Sequence, residues 1–186
     1  MEPVVIRTER LVLSVPTLDD VDHATELLQD PVMRTTLASL PWPYTRADSV
    51  EYIGTMVPAG WESERALSWA IRESDDGRQI GDIAWRPQRA DVGFWLGEPY
   101  RGRGYMTEAL RGVVDWVFAT WPEVHRIGWE AVTGNAASAR VARACGFRFD
   151  GERLLDMPFR DGSHPMGWHG YRLRSDDGTP HAGWPL

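Results

Sequence analysis

A glycine- and arginine-rich turn between an apolar strand and an amphipathic helix constrains this chain more than any other feature. The segment from Val92 to Leu96 predicts a short strand, and the turn after it contains Arg-Gly-Arg-Gly at positions 101–104. The helix that follows carries one apolar face, formed by Leu110, Val113, Val114, Val117 and Trp121. Such a turn directs free backbone N–H groups and the positive end of the helix dipole at one point. The segment therefore predicts a site for a diphosphate group.

Composition narrows the class of protein. The chain has 186 residues, which is a usual size for one compact domain. Its 27 acidic and 20 basic residues give a net charge of -7, which disfavours a surface that coats nucleic acid. Every basic residue is arginine, so the chain has no lysine for Schiff-base chemistry or for the phosphate-binding position of a P-loop.

Cysteine content and hydropathy indicate a protein of a reducing compartment. Cys145 is the only cysteine, so no internal disulfide can form, and no Cys/His spacing typical of a metal site is present. The sequence contains neither a signal-peptide pattern nor an apolar run long enough to span a membrane. We therefore expect a soluble cytoplasmic protein with no metal, no nucleic-acid partner and no membrane association.

The order of predicted elements indicates an α/β or α+β domain with a mixed sheet. Periodicity predicts strands at 11–15, 66–72, 79–85, 92–96, 126–132, 147–155 and 168–173. Helices are predicted at 17–28, at 45–56, after the glycine-rich turn to about 121, and at 135–145. We expect residues 1–174 to form a single domain and residues 175–186 an irregular tail. The two central strand–helix units, 92–121 and 126–145, predict a ligand crevice between their strand ends.

Three kinds of diphosphate site can use a glycine-rich turn before a helix, and the residues favour one of them. A dinucleotide-binding turn has the pattern G-x-G-x-x-G, but Thr107 stands at the position of the third glycine. A P-loop requires Gly-Lys-Ser/Thr, and the chain has no lysine. The acetyl-CoA turn, Arg/Gln-x-x-Gly-x-Gly/Ala, is matched by Arg101-Gly-Arg-Gly104-Tyr-Met106 at every position except the last.

Together with other segments, this turn resembles the GNAT family of N-acetyltransferases, in particular its RimJ/RimL-type branch, which includes N-terminal acetyltransferases of ribosomal proteins. The resemblance covers about residues 6–174. It rests on Arg7-Thr-Glu-Arg-Leu11, Pro99-Tyr-Arg-Gly-Arg-Gly-Tyr105, Thr107-Glu-Ala, Gly134-Asn-Ala-Ala-Ser138 and Arg143-Ala-Cys-Gly-Phe147. It implies a mixed, mostly antiparallel sheet of about seven strands, with splayed central strands and helices on both faces.

The resemblance also implies acetyl-CoA as cosubstrate and assigns residues to it. Pantetheine is expected to enter the gap between the splayed strands and to meet the backbone of Trp95 and Leu96. The pyrophosphate is expected at the backbone of Arg101, Gly102, Arg103, Gly104, Tyr105 and Met106. Met106 departs from the family pattern, which has Gly or Ala there, so its side chain must point away from the ligand. Asn135, Ser138 and Arg143 are the further expected contacts, and Arg140 and Arg143 are candidates for the nucleotide 3′-phosphate.

For the chemistry, the resemblance implies that a primary amine attacks the thioester directly, without an acyl-enzyme. Many family members protonate the leaving thiolate with a Tyr seven residues after the Asn equivalent to Asn135, but Ala142 stands there. Ser138 is then the expected donor, as in the RimL-like branch. The alternative, that Asn135 and Ser138 only cap a helix, stays open. Cys145 is expected in the core rather than as a nucleophile.

Several residues are candidates for the general base and for the walls of the acceptor pocket. Glu130, in an otherwise apolar strand, and Asp156, near where RimL-like members carry a carboxylate, are the candidate bases. A solvent-facing position for Glu130 and a turn role for Asp156 are the alternatives. Because free α-amines have a pKa near 8, a water-linked carboxylate can suffice. Aromatic walls able to bind a cationic amine are expected from Trp42, Tyr44, Trp61 and Trp168.

These observations predict an acetyl-CoA-dependent N-acetyltransferase whose acceptor is a protein N-terminus or a small-molecule amine. A CoA-binding sensor or scaffold without turnover is the main alternative, because of Ala142 and Met106. A nucleotide-binding oxidoreductase is a third hypothesis. A homodimer is compatible with this branch, although no residue pattern decides it.

Overall fold

The computed structural model describes residues 1–38 and 40–186, and a mixed sheet forms its centre. The strands are β1 (Ile6–Arg7), β2 (Val12–Ser14), β3 (Leu67–Arg72), β4 (Gly81–Arg86), β5 (Asp91–Leu96), β6 (Arg126–Val132), β7 (Arg148–Leu154) and β8 (Met166–Leu173). They form an eight-stranded sheet in the order β1-β2-β3-β4-β5-β6-β8-β7. Strands β2 to β8 correspond to the seven predicted strands. The additional strand, β1, has only two residues, which is too short for a periodic signal.

The helices are α1 (Val21–Leu27), α2 (Pro31–Thr36), α3 (Arg46–Glu51), α4 (Val57–Ser63), α5 (Tyr105–Thr120) and α6 (Ala136–Ala144). A π-helical turn, Tyr52–Met56, joins α3 to α4. Short 3₁₀ turns, Leu18–Asp20 and Glu98–Tyr100, precede α1 and the glycine-rich turn. Across the described residues, none of these helices has both the length and the apolarity needed to cross a membrane.

The central strands β5 and β6 pair over a very short distance. They run parallel and pair only at Asp91 with Gly128 and at Val92 with Trp129. By contrast, β4 and β5 pair antiparallel from Gly81–Leu96 to Arg86–Asp91, and β6 pairs along its full length with β8. Beyond Val92 the two strands therefore diverge and leave a wedge-shaped gap. This confirms the predicted mixed sheet with splayed central strands.

Helices cover both faces of the sheet, as predicted. Neighbouring strand residues point to opposite faces, and Ser68 and Trp69 of β3 show the consequence. The hydroxyl of Ser68 accepts a hydrogen bond from Tyr52 in the π-helical turn, at 3.1 Å. The indole of Trp69 instead packs edge-on against Trp116 of α5, with ring centroids 5.2 Å apart. The elements from α1 to the π-helical turn thus cover one face, and α5 covers the other.

Helix starts follow local side-chain chemistry, which explains one helix that was not predicted. At α3, Thr45 and Asp48 form a capping box, in which the Asp48 carboxylate accepts from the Thr45 N–H at 2.8 Å. The sequence predicts that Asp30-Pro31 ends the first helix, and α1 does end before it. However, Pro31 also begins α2, because proline suits the first helical turn and Asp30 accepts the N–H of Val32 at 2.9 Å.

Edge-on tryptophan contacts dominate the core on the α5 face. The ring centroids of Trp61 and Trp69 are 5.0 Å apart, as are those of Trp116 and Trp121. The Trp61 side chain is only 1% exposed and donates its indole N–H to the Ser68 carbonyl at 3.1 Å. Trp61, which the sequence suggested as a wall of the acceptor pocket, is therefore a core residue.

The segment 174–186 contains no helix or strand, yet it is fixed onto the sheet. Asp176 accepts two hydrogen bonds from Arg148, at 2.6 and 3.2 Å. Trp184 is 9% exposed, and its ring centroid lies 5.5 Å from that of Trp129 and 5.6 Å from that of Phe149. The core thus continues past residue 174 into the irregular tail.

Contact between the tail and the end of α6 yields a stability prediction. Gly146 follows α6 with a φ of +78°, and a Cβ there would lie 2.5 Å from the Cα of Gly178. Alanine in a left-handed conformation costs about 1–2 kcal/mol. Gly146→Ala should lower the free energy of unfolding by more than this, because the tail must also move. Gly162→Ala is the matched control, with the same φ of +78° and nothing within 4 Å. Denaturant unfolding of both variants measures the difference; equal losses would show that the tail packing contributes nothing.

Candidate active site

A cavity of about 750 Å³ occupies the wedge between β5 and β6 and continues beneath α1, α2 and α3. Both diverging strands contribute to its lining. The turn end of this cavity is lined by Arg101, Gly102, Gly104, Tyr105, Asn135, Ser138 and Arg140. The helix end is lined by Tyr44, Tyr52, Asp82, Arg86, Met157 and aliphatic residues of the surrounding helices. The glycine-rich turn and the region beneath the helices thus belong to one continuous cavity.

At the turn end, the N–H groups of residues 102–107 donate to no group in the described chain, whereas the Arg101 N–H donates to the Glu98 carbonyl at 3.2 Å. Gly102 and Gly104 have φ of +76° and +79°, which lets the chain turn sharply before α5. In the described part of the chain, no side chain caps the start of α5. Met106 packs into the hydrophobic core at 5% exposure and also borders the cavity. The first N–H groups of α5 therefore remain available to a ligand.

The arginines of the turn have different surroundings. Arg101 lines the cavity, donates to the Leu96 carbonyl at 3.0 Å and pairs with Asp30 at 2.6 Å. Arg103 lies outside the lining, with its guanidinium carbon 5.9 Å from the Tyr100 ring centroid.

The α6 arginines also differ. Arg143 is exposed and lies outside the cavity lining, whereas Arg140 lines it. Arg140 is therefore the α6 guanidinium nearest the turn end, and a ligand contact by Arg143 stays a prediction.

Tyr105 begins α5 at the turn and is held from outside the cavity. Its hydroxyl donates to Glu73 at 2.5 Å, and the guanidinium carbon of Arg10 lies 4.9 Å from its ring centroid. These contacts fix the position of the first helical residue.

The backbone of β5 directs alternate residues into the wedge. Gly97 donates its N–H to Ile80, which precedes β4, at 2.9 Å, so the main chain of Gly97 points toward β4. A Cβ on Gly81 would lie 2.5 Å from the Trp95 carbonyl oxygen, which places that carbonyl on the β4 side as well. Because strand residues alternate, the main-chain groups of Phe94 and Leu96 face the wedge. The Leu96 backbone thus faces the wedge, and its contact with pantetheine stays a prediction, whereas the Trp95 backbone faces β4 and Trp95 lines the cavity.

Asn135 and Ser138 lie one turn apart at the start of α6, and both line the cavity. The side-chain oxygen of Asn135 caps the helix by accepting the Ser138 N–H at 3.1 Å. The hydroxyl oxygen of Ser138 accepts the indole N–H of Trp129 at 3.1 Å. Its own proton is therefore free to be donated to a ligand in the wedge.

Glu130 is fully engaged by neighbouring residues. One oxygen accepts from Arg89 at 2.8 Å and from the Met157 N–H at 3.1 Å, and the other accepts from the Asp156 N–H at 2.8 Å. The Nδ1 atom of His169 lies 3.8 Å from the second oxygen. Glu130 thus ties the segment after β7 to β6. Asp156 is exposed and does not line the 750 Å³ cavity.

Asp82 is the carboxylate that sequence reasoning missed. It is 4% exposed, lines the helix end, and lies beside Trp95 in the sheet. The Tyr52 hydroxyl lies 3.3 Å from one of its oxygens, and the other has no hydrogen-bond partner among the described residues. Burial raises the pKa of Asp82 to about 7, and the Tyr52 hydrogen bond opposes this rise. Its signal in the sequence was the same as for Glu130, a charge within an apolar strand.

The walls of the helix end are mainly aliphatic. Tyr44 lines the cavity and its hydroxyl accepts from Ser49 at 3.2 Å. Trp42, at 38% exposure, and Trp168, which packs in the core at 8%, lie outside the lining, so the predicted aromatic walls reduce to Tyr44. The aliphatic lining consists of Leu28, Val32, Met33, Leu37, Leu40, Pro41, Ile53 and Met56.

Cys145 lies in the core, away from the cavity. It is fully buried, and its thiol donates to the Thr107 carbonyl at 3.3 Å. Burial raises the pKa of the Cys145 thiol to about 12, so it stays protonated at neutral pH.

The family described as the acetyltransferase (GNAT) domain matches residues 10–148 of the chain. The chain belongs to this family. A curated relative, named as a probable N-acetyltransferase, YjcK of Bacillus subtilis strain 168, is 32% identical over 96 residues, covering 48% of this chain and 52% of YjcK. The chain thus spans about half the length of that relative.

Solved GNAT structures share the fold over most of this chain. RimL, named as a ribosomal L7/L12 α-N-protein acetyltransferase and solved with coenzyme A, superposes with a TM-score of 0.74 at 18% identity, covering 91% of this chain and 98% of RimL. The microcin C7 self-immunity acetyltransferase MccE, solved with acetyl-CoA and AMP, gives a TM-score of 0.72 at 20% identity, covering 89% of this chain and 93% of MccE. The predicted GNAT fold is confirmed, and the family match removes the oxidoreductase alternative.

The turn end of this GNAT domain fits the diphosphate of coenzyme A. A Cβ on Gly102 would have nothing within 4 Å, so the backbone there is open to a large anion. Uncapped N–H groups at the start of α5 supply hydrogen-bond donors, and Arg101 and Arg140 add positive charge at the lining. Several N–H donors and two guanidinium groups suit a ligand that carries two phosphates.

Gly104→Val tests the placement of the diphosphate. A Cβ on Gly104 would lie an ordinary 3.4 Å from Arg10, so the expected effect comes from strain at a φ of +79° rather than from crowding. The turn must change shape, and CoA binding should weaken at least tenfold. Isothermal titration calorimetry measures the dissociation constant. Gly151→Val, at a φ of +104° on the edge strand β7, is the control for general strain. If the folded Gly104→Val protein binds CoA with an unchanged dissociation constant, the diphosphate does not bind at this turn.

Proposed function

We propose that this protein is an acetyl-CoA-dependent N-acetyltransferase in which Asp82 accepts a proton from a primary amine. The observation that carries the proposal is the shared cavity. Residues of the uncapped turn, Ser138 and Asp82 all line one space of about 750 Å³. A thioester bound from one end and an amine bound from the other can therefore meet without an enzyme-bound intermediate.

On the cosubstrate side, the residues of this chain bind acetyl-CoA and orient its thioester. The turn holds the diphosphate, and the main chain of Phe94 together with the N–H of Leu96 binds the pantetheine amides in place of the strand pairing that β6 does not supply. The Leu96 carbonyl is already engaged by Arg101. Acetyl-CoA supplies the activated acetyl group. The Ser138 hydroxyl donates a hydrogen bond to the leaving sulfur as the carbon–sulfur bond breaks.

On the acceptor side, Asp82 matches the task of a base in both position and pKa. It lies on β4, one strand spacing of about 4.8 Å from β5, close enough to act directly or through one water. A base with a pKa of about 7 is well matched to an α-ammonium group, whose pKa is near 8. A lysine-type ammonium, near 10.4, is a much poorer match. This difference favours an N-terminal α-amine as the acceptor.

The aliphatic walls narrow the acceptor further. Val32 and Met56 line the helix end at 50% and 58% exposure, so this end of the cavity offers open apolar surface. An acceptor with an apolar group beside its amine buries this surface, whereas a polyamine or an aminoglycoside leaves it exposed to solvent. The likeness to RimL, named for the α-amine of a ribosomal protein, supports the same choice. We therefore favour a protein or peptide N-terminus that begins with an apolar residue.

An acceptor panel tests this function. Thiol release from acetyl-CoA is followed with peptides that begin with leucine or with aspartate, and with spermidine and an aminoglycoside. We expect the leucine peptide to give the highest kcat/KM, at least tenfold above the polycations, because it fills the aliphatic pocket. Release only with polycations would reject the N-terminal acceptor. Tight CoA binding without release for any amine would favour a sensor.

The raised pKa of Asp82 predicts how activity depends on pH. Because the carboxylate is the reactive form, kcat/KM should rise with pH and level off above about 7. Asp82→Asn should remove this rise and most of the activity. Tyr52→Phe should move the rise to higher pH, because the Tyr52 hydrogen bond lowers the pKa of Asp82. An Asp82→Asn variant that keeps the wild-type pH profile would remove Asp82 from the mechanism.

The same shift has a stability signature that needs no substrate. The folded pKa of about 7 lies above the unfolded value near 3.9, so the contribution of Asp82 to stability is complete below the unfolded pKa and is lost as pH rises through the folded pKa. The melting temperature of Asp82→Asn relative to wild type should therefore increase between pH 5 and pH 8. Asp75→Asn, exposed and paired with Arg7, is the control. A difference in melting temperature that stays constant with pH would contradict the raised pKa of Asp82.

A further inference from the structure

We propose that Trp129 is a positioning residue for Ser138, and that Trp184 of the C-terminal tail holds Trp129 in place. The inference rests on the role proposed above for Ser138. Trp129 and Ser138 lie within the family match, and Trp184 lies beyond it, because the match ends at residue 148.

Trp129 lies where the wedge begins. It is the last residue of β6 that pairs with β5, opposite Val92, and its side chain is only 3% exposed. Its indole N–H donates to the Ser138 oxygen at 3.1 Å, which joins β6 to the first turn of α6. The hydrogen bond therefore spans from the closed end of the wedge to the proposed donor.

The chemistry of the indole fixes the direction of the serine proton. An indole N–H can only donate, so it occupies one lone pair of the Ser138 oxygen. A helical serine otherwise tends to donate to the carbonyl four residues before it. Among the described residues, Ser138 donates to no protein group, and its hydroxyl proton is left for the cavity. Without Trp129, the hydroxyl is free to turn away from the leaving sulfur.

Trp184 of the tail packs against the Trp129 ring. Their ring centroids are 5.5 Å apart, and the Trp184 indole donates to the Phe147 carbonyl at 3.3 Å. The rings meet over Gly170, where a Cβ would lie 3.2 Å from Trp184 and 3.3 Å from Trp129. The nearest atom to such a Cβ is the Arg148 carbonyl oxygen, at 2.8 Å, so glycine at this position of β8 leaves room both for β7 and for the two rings.

The tail is tied down before it reaches Trp184. The Asp176–Arg148 pair, at 2.6 Å, fixes its start, and Gly178 packs against Gly146 at the end of α6. The tail thus contacts both elements that the Trp129–Ser138 hydrogen bond joins. A loss of the tail is expected to loosen that bond without any change in the diphosphate turn.

A double-mutant cycle tests whether Trp129 acts through Ser138. We measure kcat and the CoA dissociation constant for Trp129→Phe, Ser138→Ala and the double variant. Trp129→Phe should lower kcat about tenfold, the value of one hydrogen bond, and leave the dissociation constant within twofold. The double variant should be no slower than Ser138→Ala. Fully additive losses, or a slow Ser138→Ala beside an unaffected Trp129→Phe, would overturn the proposal. Trp116→Phe, in the core below α5, is the matched control.

Indole nitrogen–proton NMR gives a readout that needs no turnover. Trp129→Phe identifies the Trp129 signal by its disappearance. Ser138→Ala should shift this signal and speed its exchange with solvent, and Trp184→Leu should do so more weakly; Trp116→Phe should leave it in place. Trp184→Phe replaces Trp184→Leu if the latter does not fold. An unmoved signal in Ser138→Ala rejects the positioning role. A wild-type protein that acetylates no amine, yet shows the shifts, rejects the proposed function alone.

Discussion

The separation of β5 from β6 after Val92 is the constraint on which the rest of the site depends. A parallel pair normally continues its hydrogen bonds along both strands, but here pairing stops after two residue pairs. The main chains of Phe94 and Leu96, both half-buried, thereby face a gap inside the protein, and the Leu96 carbonyl accepts from the Arg101 side chain at 3.0 Å. The other main-chain groups of this strand edge have no partner in the sheet. In the proposed function pantetheine pairs with them, and the turn at 101–104 sets the direction from which the coenzyme enters.

Burial and pairing divide the acidic residues near the wedge into different tasks. Glu130 and Asp82 are both carboxylates on central strands and both line the cavity. Glu130 accepts from Arg89 and from two backbone N–H groups, so its charge is compensated and it holds a loop in place. Asp82 is buried with one hydroxyl beside it and one oxygen unpartnered, so burial dominates and its pKa rises. The two carboxylates thus differ in their partners, and the proposal of Asp82 as the base rests on this difference.

The sequence predicted the local parts of this protein far better than the long-range ones. The strand, the turn and α5 lie within about 30 residues and carry their signals in order, and Asn135 and Gly146 bound α6 by local capping rules. The choice between Glu130 and Asp82 was out of reach, because Arg89 is 41 residues from Glu130 and Tyr52 is 30 from Asp82. The aromatic walls were misplaced for the same reason: composition cannot distinguish a core tryptophan from one in a pocket.

The replacement of a family tyrosine by Ala142 connects the chemistry to the tail. Ala142 is fully buried and does not line the cavity, so α6 presents no proton donor to the wedge at that position. Ser138 can take the role, but a serine hydroxyl is short and rotates freely, whereas a tyrosine hydroxyl is carried by a rigid ring. A serine in this position therefore needs an external partner to fix its proton. In our proposal Trp129 provides that partner, and because its ring packs against Trp184, the irregular tail of this chain becomes part of its active site.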